Sequence, residues 1–124
     1  MSTILVVDDE EAIRRLVKDT LELAGYKVVE GGNGLEAIEK YRSEPTDLIL
    51  MDILMPGQDG FTTIKQLRKE FPKAKIVAMT GGSESLGANS ILELAQMVGA
   101  RRTLSKPFNL TALLNTVKEE LEAP

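Results

Sequence analysis

A three-layer α/β fold, a five-stranded parallel sheet between two layers of helices, is what the sequence predicts, and three observations predict it. Short apolar runs such as Thr3–Val7, Leu48–Met51 and Lys75–Met79 lack polar alternation, so they read as strands buried on both faces. The segments between them carry apolar residues at helical spacing. Strand and helix then alternate five times, the pattern of βα units, whose right-handed crossovers leave few topologies open. At 124 residues the chain has room for one domain, 1–124, with a proper core, and no repeat, linker or low-complexity stretch divides it.

Each element has its own signal. Thr3–Val7 is a buried strand that stops at Asp8-Asp9-Glu10. Ile13, Leu16, Val17, Leu21 and Ala24 then recur on one helical face, with Asp9, Glu10 and Glu11 near the start, where the helix dipole favours negative charge. Gly25 suits the position just past that helix. Tyr26–Glu30 is a short strand and Gly31–Gly34 a loop. That loop resembles a phosphate loop in glycine content but lacks the Gly-Lys-Ser/Thr ending, so it reads as a turn. Leu35, Ala37, Ile38 and Tyr41 share a face on a second helix that ends before Pro45.

Leu48–Asp52 is the central strand, an apolar run closed by one carboxylate. Burying an unpaired carboxylate costs several kcal/mol or forces it to take up a proton, so Asp52 belongs where the strand leaves the sheet. The turn after it holds Pro56, which fixes φ, and Gly57 and Gly60, which permit positive φ. Asp59 reads as a cap before a third helix carrying Phe61, Ile64, Leu67 and Arg68, closed by Phe71-Pro72. A fourth strand, Lys75–Met79, ends at Thr80-Gly-Gly82. Residues 83–89 read as a loop, and Ser90–Val98 as a fourth helix with Gly99 past its end. Arg101–Leu104 is a short fifth strand, Ser105–Phe108 a turn, and Asn109 caps a last helix with Leu110, Leu113, Leu114, Val117 and Leu121 on one face.

Composition removes whole classes of function. With no cysteine there is neither disulfide nor thiol chemistry, and with no histidine the commonest general base and zinc ligand is missing. A net charge of −4 argues against direct nucleic-acid binding, which needs a basic face. No apolar run approaches the ~20 residues of a membrane span, and no basic stretch precedes an apolar core at the N-terminus. The expectation is a cytoplasmic protein with no membrane contact.

What remains is a constellation at one edge. A parallel sheet exposes all its strands' carboxyl ends together, and open α/β sheets bind their ligands there. Asp8, Asp9, Asp52, Thr80 and Lys106 each fall just past the end of a strand. Two unit charges ~4 Å apart repel by about 4 kcal/mol at an effective dielectric near 20. Lys106 alone cannot offset three carboxylates, whereas a hard divalent cation such as Mg²⁺ can. A carboxylate beside Mg²⁺, a hydroxyl and an ammonium is an apparatus for phosphoryl transfer, in which the carboxylate is the nucleophile.

Across essentially its whole length the chain resembles the receiver domains of two-component response regulators. The matching pieces are Ile-Leu-Val-Val-Asp-Asp9, Asp52-x-x-Met-Pro-x-x-Asp-Gly60, Thr80 after the fourth strand and Lys106-Pro107 after the fifth. The resemblance implies a flavodoxin-like, CheY-like fold with strand order 2-1-3-4-5. It implies that Asp52 accepts phosphate from the phosphohistidine of a sensor histidine kinase or phosphotransfer protein. Asp9, Asp52 and the backbone carbonyl of Leu54 would ligate Mg²⁺, with Asp8 acting through a water. Thr80 would bind a phosphoryl oxygen, Lys106 would pair with the phosphoryl group, and the Lys106-Pro107 bond would be cis. A surface of the fourth helix, fifth strand and last helix would then switch a downstream effector. Such a protein is no enzyme in the ordinary sense, since it catalyses only its own phosphorylation and dephosphorylation.

The sequence also departs from that family's pattern. Three residues before the lysine the family usually has Tyr or Phe, a ring that swings inward on activation; here it is Thr103. Acidic residues often precede that ring; here they are Arg101 and Arg102, which would make the output face more basic and suited to an acidic partner. Leu54 and Gly82 flank the approach of attacking water without a side chain that can hydrogen-bond it, so a long-lived acyl phosphate is expected.

Taken singly, each residue has a plainer reading. Asp8-Asp9-Glu10 suits a helix start, Thr80 a turn, Lys106 a solvated surface, and Met51, Met55 and Met79 core packing. Only their joint placement outweighs these. Two other functions compete with a switch. A small phosphatase of haloacid-dehalogenase type needs two aspartates two residues apart after the first strand, where this chain has Asp8 and Glu10. A flavodoxin-like electron carrier needs a Ser/Thr/Gly-rich phosphate loop where this chain has acids.

Overall fold

The strands β1 (Thr3–Val7), β2 (Lys27–Gly31), β3 (Leu48–Asp52), β4 (Ile76–Gly81) and β5 (Arg102–Lys106) form one parallel sheet in the order β2-β1-β3-β4-β5. This is the flavodoxin-like order that the resemblance implies. The structure, a computed structural model, describes residues 2–53, 60–81, 99–106 and 109–124, and at 80, 81, 105 and 106 it describes the backbone. Among the described residues there are four helices: α1 (Glu11–Leu23), α2 (Gly34–Ser43), α3 (Gly60–Glu70) and a C-terminal helix (Leu110–Glu122). The expected fourth helix at 90–98 and the loop before it lie outside the described residues, as does the 54–59 turn with its Asp59 cap.

Because side chains alternate across a strand, the inner strands β1, β3 and β4 each feed two cores. Leu5, Val7, Ile49, Met51, Ile76 and Ala78 pack with Ala37, Ile38 and Tyr41 of α2 and Ile64 and Leu67 of α3. Ile4, Val6, Leu48, Leu50, Val77 and Met79 pack with Val17 and Leu21 of α1 and Leu113 and Val117 of the C-terminal helix. All five residues of β3 are buried, as an unalternating run at the centre of a parallel sheet should be.

Helix ends follow their capping residues. Asn33 accepts from Glu36 N at 2.8 Å and Asn109 from Ala112 N at 2.6 Å, each satisfying a first-turn amide that has no helical partner. Gly25 follows α1 at φ +96°, the left-handed region that glycine enters without cost.

The structure corrects several sequence expectations. Leu16, Leu35 and Leu110, assigned to buried helical faces, are exposed. Leu16 and Leu35 lie at the margins of their stripes, and Leu110, in line with Val117 and Leu121, is the first residue of its helix. Ser105 and Lys106, expected in a turn, are the last residues of β5, paired with Thr80 and Gly81 of β4. Thr80 is therefore also within its strand. The ladder partner overrides the turn signal of the Pro107 that follows. Gly31 likewise belongs to β2, opposite Val7.

Candidate functional site

The carboxyl edge of the sheet carries the candidate site. Met51 of β3 stands opposite Val7 of β1, so Asp8 and Asp52, one residue further along, leave neighbouring strands side by side. The loop after β1 is held from two directions: Asp8 N donates to Gly31 O at 3.1 Å, and Glu10 N donates to Asp8 Oδ1 at 2.9 Å. Beyond Asp52 the chain stays tied to the sheet, with Ile53 N donating to Met79 O at 2.9 Å. Gly60 N, at the start of α3, donates to Ile53 O at 2.9 Å. Gly60 is thus held against Ile53, the residue that follows β3.

Asp8, Asp9 and Asp52 each present a carboxylate oxygen, and the three oxygens lie within 4.8 Å of one another. Asp8 and Asp52 are buried, Asp52 being only 2% exposed, while Asp9 faces solvent. Two ligands on one Mg²⁺ at about 2.1 Å are at most about 4.2 Å apart. A separation within 4.8 Å is therefore compatible with carboxylates that share one cation, directly or through water. The donor set is all hard oxygen, in a chain without histidine or cysteine, and this fits Mg²⁺ better than a softer metal.

Backbone register brings two more expected residues to the same edge. Asp52 pairs with Met79, so Thr80 is the next residue on the neighbouring strand. Thr80 pairs with Ser105, and Gly81 with Lys106. Asp52, Thr80 and Lys106 therefore occupy the carboxyl ends of three adjacent strands. Leu54, Gly82 and the Lys106-Pro107 bond lie outside the described residues.

Sequence reasoning missed Arg14. From the first turns of α1, its Nη1 donates to the backbone carbonyl of Asp8 at 2.7 Å, and its Nε donates to Glu30 Oε1 of β2 at 3.2 Å. Burial pushes the Glu30 carboxyl up, but hydrogen bonds from Arg14 and Lys18 and their charges outweigh it, leaving Glu30 below the ordinary carboxylate range. No spacing rule finds such a residue, because a long side chain chooses its acceptor in three dimensions.

Arg101 and Arg102 require a correction. The expected basic surface is internally neutralised. Both guanidiniums meet Glu120 of the C-terminal helix, Arg102 Nε at 2.9 Å, and Arg102 also reaches Glu119 at 2.8 Å. The hydrogen bond to Glu120 holds the Arg102 pKa above its ordinary value. Thr103, at the position where a ring was expected, lies in β5 opposite Ala78 and is partly buried.

Comparison with known proteins agrees with this geometry. The family model for the response regulator receiver domain matches residues 4–118. The chain is 35% identical over 119 residues to the chemotaxis protein CheY of Bacillus subtilis, covering 95% of this chain and 96% of that one. It is 30% identical over 118 residues to the sporulation initiation phosphotransferase F of the same organism, covering 95% and 92%. Among solved structures, a CheY-like response regulator receiver domain protein of Methanospirillum hungatei superposes with a TM-score of 0.88 at 32% identity, covering 98% of this chain and 94% of that one. The chain belongs to the response regulator receiver domain family of two-component signalling. No helix among the described residues is long and apolar enough to cross a membrane.

Proposed function

We propose that residues 1–124 act as a single phosphorylation-operated receiver, with Asp52 accepting the phosphoryl group. The observation that carries this reading is the meeting of the Asp8, Asp9 and Asp52 carboxylates within 4.8 Å at the carboxyl edge of the sheet. An Asp52 oxygen attacks phosphorus, a P–O bond forms, and the P–N bond of a phosphohistidine breaks with its electron pair leaving on the imidazole. Bound Mg²⁺ would neutralise charge on the transferring oxygens. Asp9, Asp52 and the Leu54 carbonyl are assigned to hold it directly, and Asp8 through water. Thr80 is assigned to bind a phosphoryl oxygen and Lys106 to pair with the group, roles supported by their places at the carboxyl ends of β4 and β5, the next two strands beyond Asp52. Burial of Asp52 supports its selection over Asp9: a desolvated nucleophile needs less solvent reorganisation.

The partners assigned are a sensor histidine kinase or phosphotransfer protein upstream and an effector protein downstream, in the cytoplasm. The effector is assigned to the surface that includes β5 and the C-terminal helix. Phosphorylation can bias that surface only through a difference in affinity between two states.

The test is incubation with a small acyl phosphate and Mg²⁺, followed by intact mass. One phosphoryl group should appear, vanish with Asp52→Asn, and require Mg²⁺. Labelling that persists in Asp52→Asn, or multiple turnover on unrelated phosphomonoesters, overturns the assignment.

A further inference from the structure

We infer that Arg14 is a positioning residue that sets the divalent-cation affinity of the carboxylate site, bracing the Asp8–Asp9 turn against β2 through Glu30. This rests on the proposed reading of the site as a Mg²⁺ centre. Two of the three carboxylates, on Asp8 and Asp9, stand on a turn between β1 and α1. A turn bearing like charges within 4.8 Å of a third acid is pushed apart whenever no cation is bound. Something must hold it in the geometry the ion needs.

Arg14 is placed to do so. Its guanidinium is planar and carries donors in a rigid fork, so it can hold two acceptors in a fixed relation. One prong takes the Asp8 carbonyl at 2.7 Å and the other takes Glu30 at 3.2 Å. The Arg14 side chain is 19% exposed and that of Glu30 37%, so the guanidinium end of the brace is the better shielded from competing water. Both ends are anchored in regular structure. Arg14 N donates to Glu10 O at 3.0 Å within the first turns of α1, and Val6 stands opposite Glu30 in the β1–β2 ladder. Gly31, the next residue of β2, takes the Asp8 amide at 3.1 Å. The peptide groups on both sides of the Asp8 Cα are therefore fixed, one by β2 directly and one by Arg14.

Charge is the second part of the argument. A bare guanidinium so near the site would repel a divalent cation. Glu30 lies against its Nε and offsets part of that field, while Lys18 at 3.5 Å helps keep Glu30 ionised. The pair supplies rigidity with less opposition to the ion. Partners of this kind, which orient ligands without touching the metal, are worth about 10–100-fold in metal affinity.

The experiment is calorimetric titration of the full chain with Mg²⁺ alone, alongside thermal melting without metal. Arg14→Met should weaken Mg²⁺ binding by about 10–100-fold. Glu30→Gln, which frees one end of the brace, should weaken it several-fold. With the small phosphodonor, the loss should appear in the Mg²⁺ concentration needed for half-maximal rate, and the rate at saturating Mg²⁺ should recover. A purely structural role lowers the melting temperature and leaves Mg²⁺ affinity alone. A folded Arg14→Met chain that binds Mg²⁺ as tightly as wild type overturns the inference. If that chain does not fold, a Glu30→Gln chain binding as tightly as wild type overturns it instead. A wild-type chain that takes up no Mg²⁺ overturns the Mg²⁺-centre reading itself, a result distinguishable from the other two.

Discussion

A β-carbon placed on Gly60 would stand 2.5 Å from the backbone carbonyl oxygen of Asp52. No real carbon tolerates that approach, so the first residue of α3 has to be glycine for the helix to start against the end of β3. The reason is proximity. Among the described residues the glycines at positive φ are Gly25 and Gly99, so the backbone freedom expected of Gly60 is not what the position uses. Gly60→Ala should therefore shift the backbone at Asp52 and destabilise the fold by about 1–3 kcal/mol, the usual cost of overpacking. Urea unfolding checks the stability. A parallel drop in phosphorylation rate, larger than that of a surface variant equally destabilised, checks the link to Asp52.

Glu120 supports a second prediction. It is 2% exposed and receives Arg102 from the start of the edge strand β5 and Arg101 from the residue before it, while Lys75 Nζ donates to the Glu120 and Ala123 carbonyls at 3.0 and 2.6 Å. The C-terminal helix is thus tied to the sheet by three cations at its far end, away from the carboxyl edge. Glu120→Gln should cost about 1–3 kcal/mol, because a buried charged acceptor is lost and two guanidiniums are left facing a neutral amide. Glu119→Gln, on an exposed partner, should cost much less. Equal midpoints for the two variants in urea would contradict this account.

What the sequence made legible follows from the same physics. Leu48–Asp52 was readable because full burial on two faces leaves an unalternating apolar run, and its terminal carboxylate pointed to the edge where the three acids meet. Asp8, Asp9 and Asp52 could be brought together from strand ends alone, since parallel strands share one edge. Leu35 and Leu16 misled, because helical spacing tells which residues share a stripe but not how wide a stripe the sheet can cover. Glu120 was invisible for the opposite reason. Its burial depends on two arginines that approach from the beginning of β5, and a Glu in the last turns of a helix looks solvated. Arg14 and the close approach at Gly60 are properties of the assembled fold, so composition and periodicity carry no trace of them.

Acid should act partly through Glu30. Its folded carboxyl titrates below 4.5, so the pairing with Arg14 and Lys18 contributes stability above the unfolded pKa and loses it as pH falls through the lower folded value. Both partners are partly exposed, so the contribution is at most about 1 kcal/mol. Glu30→Gln should flatten that part of the stability curve below about pH 4.5 and leave the slope between pH 6 and 8 unchanged. Stability measured by urea at several pH values, wild type against variant, checks the sign. A variant whose acid slope matches wild type would remove Glu30 from the account.

The three crowded carboxylates set function against stability. At 4.8 Å and an effective dielectric of about 20 a pair of unit charges repels by about 3–4 kcal/mol, and exposure of Asp9 to water and salt reduces its share to roughly 1 kcal/mol. Asp9→Asn should therefore make the metal-free chain more stable than wild type by about that amount, as removal of a costly functional group often does. Mg²⁺ should reverse the order. At a concentration 100 times its Kd, a bound ion stabilises the folded chain by about 2.7 kcal/mol, and the variant, short of one ligand, should gain far less. Melting temperatures of the two chains plotted against Mg²⁺ should cross. Equal melting temperatures without Mg²⁺ would mean that Asp9 does not repel its neighbours, and parallel curves that it does not ligate the ion.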